Sequence, residues 1–415
     1  LILGANLQQN NFLGSGTQVG FGINVSDYQK SANFSYTNPY YTKDGVSRGF
    51  SLYYRKTNFD EVGISSFRTD TAGASVNFGY PLSEVQRLRF SLGVQNTSVE
   101  AGRFAVREII GSPRLTFTEA QIPHRAVLRD APGSNVGIDT DVFTDRDFDS
   151  LLAEADAGFL DKNGDDFDTF LMNGSWVRST LNRGQLATRG SSQTVGLEMS
   201  LPGSDLEYYK ITANAQKFFP LGRVFTLRLR GELGYGDSYG ETSELPFFEH
   251  FYSGGFGSVR GFKSNSLGPR STPAEDYVIL NPLVNGVAQN ELSYLLLNGQ
   301  DQLASNTVGD IDDPFGGNIS VEASAELLFP LPFIKDQRTM RSAFFIDVGN
   351  VFSTNCSSTQ LACTNFDVAE LRYSFGVGLT WITGFGPLTF SLAKPLNAGE
   401  FDDREVFQFS LGQFF

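Results

Sequence analysis

Within GGFGSVRGFKSNSLGPR, residues 254–270, Arg260 sits alone among glycines and aromatics. Gly and Pro break this segment too often for a strand or helix, so the arginine rides on a loop. A guanidinium is a planar fork that grips two carboxylate oxygens at once, so Arg260 calls for Asp or Glu partners. Other reactive side chains are sparse. The only imidazoles, His124 and His250, fall in loops, no G-x-S-x-G elbow is present, and paired acids carry no specific signal. DKNGDDFD, 161–168, sets Asp161, Asn163 and Asp165 at calcium-loop offsets, but Asp166 stands where Gly is needed and Met172 where Glu is needed. An acidic solvated loop is the expectation there, with no metal and no cofactor. Cys356 and Cys363, in STNCSSTQLACTNFD, have no His near them in sequence, so a small disulfide made in an oxidising compartment is expected over a metal site.

The positioning elements show in the hydrophobic period. In LRYSFGVGLTW, Leu371, Tyr373, Phe375, Val377, Leu379 and Trp381 share one parity, against Arg372, Ser374, Gly376, Gly378 and Thr380. VFTLRLRGELGY and NISVEASAELLF alternate in the same way. Polar faces rich in Gly and Ser, opposite aromatic-rich apolar faces, fit a barrel lumen better than a soluble surface. A transmembrane strand needs roughly 9–11 such residues. The chain offers about sixteen: 1–9, 17–27, 31–41, 47–59, 67–80, 87–100, 103–113, 168–182, 191–201, 207–219, 223–239, 318–330, 339–352, 370–383, 387–397 and 405–415. The expected fold is therefore all-β: one domain, 1–415, a 16-stranded antiparallel transmembrane β-barrel with both termini on one side. Tight turns such as FPLGR, 219–223, and GFGP, 384–387, alternate with long connections at 114–167 and 241–317. Short periplasmic turns and long extracellular loops make that asymmetry, with the cysteine loop on the long side.

Composition narrows the class. A net charge of −14 argues against a nucleic-acid partner, which wants a basic stripe. No apolar run reaches the roughly 18 residues of a transmembrane helix. The chain opens at Leu1 with neither an initiating Met nor a signal peptide, so a piece of a longer exported precursor is expected.

Several fragments together resemble the barrel of the BamA family, the assembly factors of bacterial outer membranes. They are VRGF (259–262), FFIDVGNVF (344–352), NFLGSG (11–16), TNPYYTKDGVS (37–47) and GSDLEYYK (203–210). VRGF alone is shared with two-partner secretion transporters and TamA; the last two fragments narrow the likeness, which covers essentially the whole chain. The resemblance implies insertion of β-barrel clients into the outer membrane of Gram-negative bacteria. It implies partners too: outer-membrane lipids, unfolded barrel clients, and accessory lipoproteins bound through periplasmic POTRA domains. It also implies that the loop 241–317 folds into the lumen and docks Val259, Arg260, Gly261 and Phe262 on the wall. Period two independently turns Glu322 and Glu326 inward, and Asp347 and Gly349 inward beside them, because Phe344, Ile346 and Val348 face lipid. A plain anchoring salt bridge is the simpler role for such a contact.

The closing seam looks uneven. In the last strand Phe407, Phe409 and Leu411 aim outward before Gly412, which can bend the chain, and Phe415 ends it. In the first, Leu1, Leu3, Gly4 and Leu7 lie in an apolar stretch that then turns polar. A weak closure lets a client strand add to a free edge by β-augmentation. The alternatives are a polypeptide-translocating pore of the same superfamily, of the two-partner or TamA kind, and an ordinary porin or barrel enzyme.

Overall fold

Strict alternation builds one large sheet. The structure, a computed structural model, describes residues 3–102, 105–111, 158–184, 186–222, 224–271, 313–331, 339–357, 360–383 and 386–411, with the backbone of short strands within 127–139 and 277–307. Fifteen long strands run β1 (Leu3–Asn10), β2 (Gln18–Val25), β3 (Gln29–Asn38), β4 (Ser47–Asn58), β5 (Phe67–Ser83), β6 (Gln86–Ala101), β7 (Asp166–Ser179) and β8 (Gly190–Ser200). They continue with β9 (Tyr208–Leu221), β10 (Phe225–Ser238), β11 (Ile319–Phe329), β12 (Met340–Phe352), β13 (Arg372–Thr383), β14 (Gly386–Pro395) and β15 (Phe407–Leu411). Each pairs with its sequence neighbour, and every pairing is antiparallel.

Burial in this sheet is inverted. Outward positions expose Leu233, Phe344, Ile346, Phe375 and Phe409, while inward positions bury Glu322, Glu326, Asp347 and Ser374. Apolar side chains on the outside and carboxylates within are the arrangement that hydrocarbon demands and water penalises. Among the described residues no helix is long and apolar enough to cross a membrane.

Connections of two or three residues, 84–85, 222–224 and 384–385, close one end of the sheet, and 102–165, 239–318 and 353–371 close the other. At the long-loop end the connections share a core of Phe67, Val106, Ile109, Phe159, Leu245 and Phe247. Phe67 meets Phe247 edge-on at 4.8 Å and stacks on Phe59 at 4.3 Å. This apolar dome covers the lumen. The disulfide Cys356–Cys363 also lies at that end.

The strand count departs from the expected sixteen at one place, 103–113. Arg107–Ile110 is a helical turn, and Ala105, Val106, Ile109 and Ile110 are buried in the dome. Its apolar residues serve the cap rather than lipid, which is why its alternation is poor. Among the described residues the sheet thus has fifteen strands, with β1 and β15 at its two edges. No pairing joins these two edges among the described residues. Most of the acidic connection 114–167 lies outside the described residues, and so does much of 272–312.

Candidate functional site

The site forms where the 239–318 connection meets the inner wall. Register dictates the wall's chemistry: Ser324 on β11 pairs with Asp347 on β12, with Glu322 opposite Gly349 and Glu326 opposite Phe345. Arg260 enters this patch from the loop and is buried. Its Nε donates to Asp347 Oδ2 at 2.7 Å and its Nη2 to Asp347 Oδ1 at 2.8 Å, the two-pronged grip. The Arg260 backbone N–H adds a third bond to Asp347 Oδ2 at 3.2 Å. Nη2 also lies 2.8 Å from Glu326 Oε1 and donates to Ser324 Oγ at 3.3 Å. Ser324 in turn donates to Asp347 at 2.6 Å. The guanidinium carbon sits 3.5 Å from the centre of the Phe345 ring, a cation–π contact. Burial alone would lower the Arg260 guanidinium pKa, but the hydrogen bonds and charge of Asp347, with Glu326 behind it, raise it instead.

Glu322 takes other partners. It accepts from Ser258 Oγ, and Arg230 stands 3.8 Å away. Arg228 on β10 reaches Glu326 at 3.0 Å. Three arginines thus face three carboxylates, a balanced cluster in a chain of net charge −14. Balance is what permits burial, since an unpaired buried charge would be driven neutral.

Glycines make the close approach possible. A Cβ on Gly349 would stand 2.9 Å from Val259 Cγ2, so its absence is the seat for Val259. Gly376 on β13 similarly leaves room for Phe345, where a Cβ would meet the ring at 2.7 Å. Gly261 has φ +95° and presses on Ala393 and Pro395 of β14. Val259 and Phe262 are fully buried, packed with Leu267 against Ala398. The same loop makes a second tie, Glu249 to Lys210 of β9 at 2.8 Å.

The structure therefore brings together Val259, Arg260, Gly261, Phe262, Glu326, Asp347 and Gly349, with Glu322 one contact removed. Phe345, Ser324, Arg228 and Arg230 escaped the sequence reading. Phe345 carries a signal, because it shares the inward parity of Asp347; a loop cation over an inward aromatic is the pattern to seek. Of the seam residues, Leu3 and Leu7 on β1 and Phe407, Phe409 and Leu411 on β15 are exposed. Gly4 faces Asn24 of β2. Leu1, Gly412 and Phe415 lie outside the described residues. On the short-turn side the connection 180–189 folds inward, burying Ala187 against Phe218, Leu328 and Ala343. Arg341 holds it, donating to the carbonyls of Leu186 and, at 2.9 Å, Ala187.

An antiparallel sheet greasy without, charged within and braced by its own loop defines the outer-membrane β-barrel class. Residues 11–415 match the Omp85 superfamily domain, and the chain belongs to that family. It is 32% identical over 435 aligned residues to the outer membrane protein assembly factor BamA of Neisseria meningitidis serogroup B, covering all of this chain and 45% of that protein. The BamA of Nitratidesulfovibrio vulgaris is 21% identical over 99% of this chain. The crystal structure of BamA from Haemophilus ducreyi lacking POTRA domains 1–3 matches with a TM-score of 0.69 and 27% identity, covering 99% of this chain and 66% of that one. The chain thus spans about half the length of the curated relatives it matches. It is an integral outer-membrane protein of the BamA type.

Proposed function

We propose that this domain folds and inserts β-barrel proteins into the outer membrane by lending client strands the edges of β1 and β15. What supports this reading is the match of residues 11–415 to the Omp85 superfamily domain and the likeness of the whole chain to a BamA assembly factor; among the described residues β1 pairs with β2 and β15 with β14. In hydrocarbon each unpaired backbone group costs several kcal/mol, which drives an arriving strand onto such an edge whatever its side chains. Main-chain bonds supply affinity with little sequence demand, and burial of the client's apolar band supplies the driving force. No covalent chemistry is required. Among the described residues β15 is held to β14 from Leu388↔Leu411 to Leu392↔Phe407. Accessory lipoproteins belong to this reading as partners, as do unfolded clients and the surrounding lipid. A translocation pore is less well supported, because the loop carrying Arg260 and the turn 180–189 both occupy the lumen.

The test is a tether. Gln8→Cys on β1 and Ser410→Cys on β15, joined by a cleavable bis-maleimide, should slow client insertion at least about tenfold, and cutting the linker should restore it. Insertion at the untethered rate with the linker intact would remove the seam from the mechanism.

A further inference from the structure

The docked loop does not stop at Asp347; it continues to the last strand. Gly261 and Phe262 pair antiparallel with Glu405 and Arg404, the residues that lead into β15. Lys263 N–H donates to the Asp403 carbonyl at 2.9 Å. Gln408, on the inner face of β15 and buried, donates from Nε2 to the Phe262 carbonyl at 2.6 Å and to Glu405 at 3.0 Å. So the loop braces β15 from within, alongside the ladder to β14.

Spacing makes this brace rigid. Arg260, Gly261 and Phe262 are consecutive, and a residue spans at most about 3.6 Å, so no slack separates the Asp347 grip from the Gln408 bond. Gly261 is already pinned against Ala393 with φ +95°. Because the Arg260 backbone N–H is itself bonded to Asp347, a displacement of that backbone by more than a few ångströms must pull Phe262 off Gln408 and peel 404–405 from its partner.

We propose that Gln408, with Arg404 and Glu405, is the positioning element through which the Arg260 contact sets the edge of β15: loop docked, edge held; loop undocked, edge free. This rests on β15 being one lip of the seam, but its test needs no client. Hydrogen exchange is measured on the purified protein in nanodiscs for wild type, Gln408→Leu, Asp347→Asn and the double variant. Asp347→Asn should speed exchange of amides 404–411 about tenfold, comparable to loss of one buried hydrogen bond, although residue 347 does not touch that strand. Coupling is reciprocal, so Gln408→Leu should speed exchange across 257–263 by a similar factor. The double variant should exceed neither single by more than about twofold, because the two sites act as one unit. A purely local role for Gln408 would loosen 404–411 alone. Protection of 404–411 unchanged in Asp347→Asn, or of 257–263 unchanged in Gln408→Leu, overturns the coupling. Should Asp347→Asn fail to fold, the reciprocal measurement decides by itself. Failure of the tether in Proposed function would leave these exchange results standing, so the two claims separate.

Discussion

Arg260 is held by shape as much as by charge. Two oxygens of Asp347, one of Glu326 and the face of Phe345 all meet one planar group. A lysine keeps the charge but is a point donor that cannot span both Asp347 oxygens while lying flat on the ring. Asp347→Asn goes further and leaves Arg260 and Glu326 to share a site built for one more anion. Breaking a buried pair from one side costs about 3–5 kcal/mol. Arg260→Lys should therefore be the milder change, and Asp347→Asn should lower the temperature at which the folded form converts to the slow-migrating form on gels by several degrees more. Equal effects would mean that charge alone matters. The partners Glu326 and Asp347 were legible because period two fixes which way a strand residue points. Gln408 was not, since its partner lies 146 residues away on a loop whose path no period describes.

At the scale of elements, the dome over the lumen includes a half-buried neutral histidine. His250 packs edge-on against Phe315, and its Nδ1 lies 3.0 Å from the Phe315 carbonyl. Burial holds its pKa down to about 4, against the upward pull of the Phe315 carbonyl, with Lys210 nearby adding to the depression. An unfolded histidine titrates near 6.5, so the neutral form is the one the fold prefers. That preference is fully present above pH about 6.5 and is lost as pH falls from there towards about 4. Local opening of 245–252 should be roughly twentyfold more frequent at pH 5 than at pH 7, as hydrogen exchange corrected for intrinsic rates would show. His250→Phe should abolish the pH dependence; if it persists, another group is responsible. The dome itself was only half legible. Its residues in 103–113 read as a strand because apolar density there resembles one, while their true partners, Phe159 and Phe247, are brought in by distant loops.

At the scale of the whole molecule, two independent obstructions lie along one lumen. From the long-loop end comes the segment gripped by Asp347; from the short-turn end comes 180–189, gripped by Arg341. A cavity of about 500 Å³ separates them, lined by Gly257, Arg260, Leu186 and Arg341. Alternation revealed the wall but neither obstruction, since turns obey no period, and only the resemblance supplied the loop. Obstructions in series obey a simple rule: current is set by the larger resistance, so removing one of two comparable plugs changes little. Arg341→Ala frees the carbonyls of Leu186 and Ala187, and Asp347→Asn frees the loop. In planar bilayers each single variant should raise conductance no more than about twofold, and the double variant by much more than the product of the singles. If Arg341→Ala alone opens a steady pore, the loop at Arg260 does not seal the lumen. The grip on Asp347 would then serve the barrel wall and the edge of β15 only.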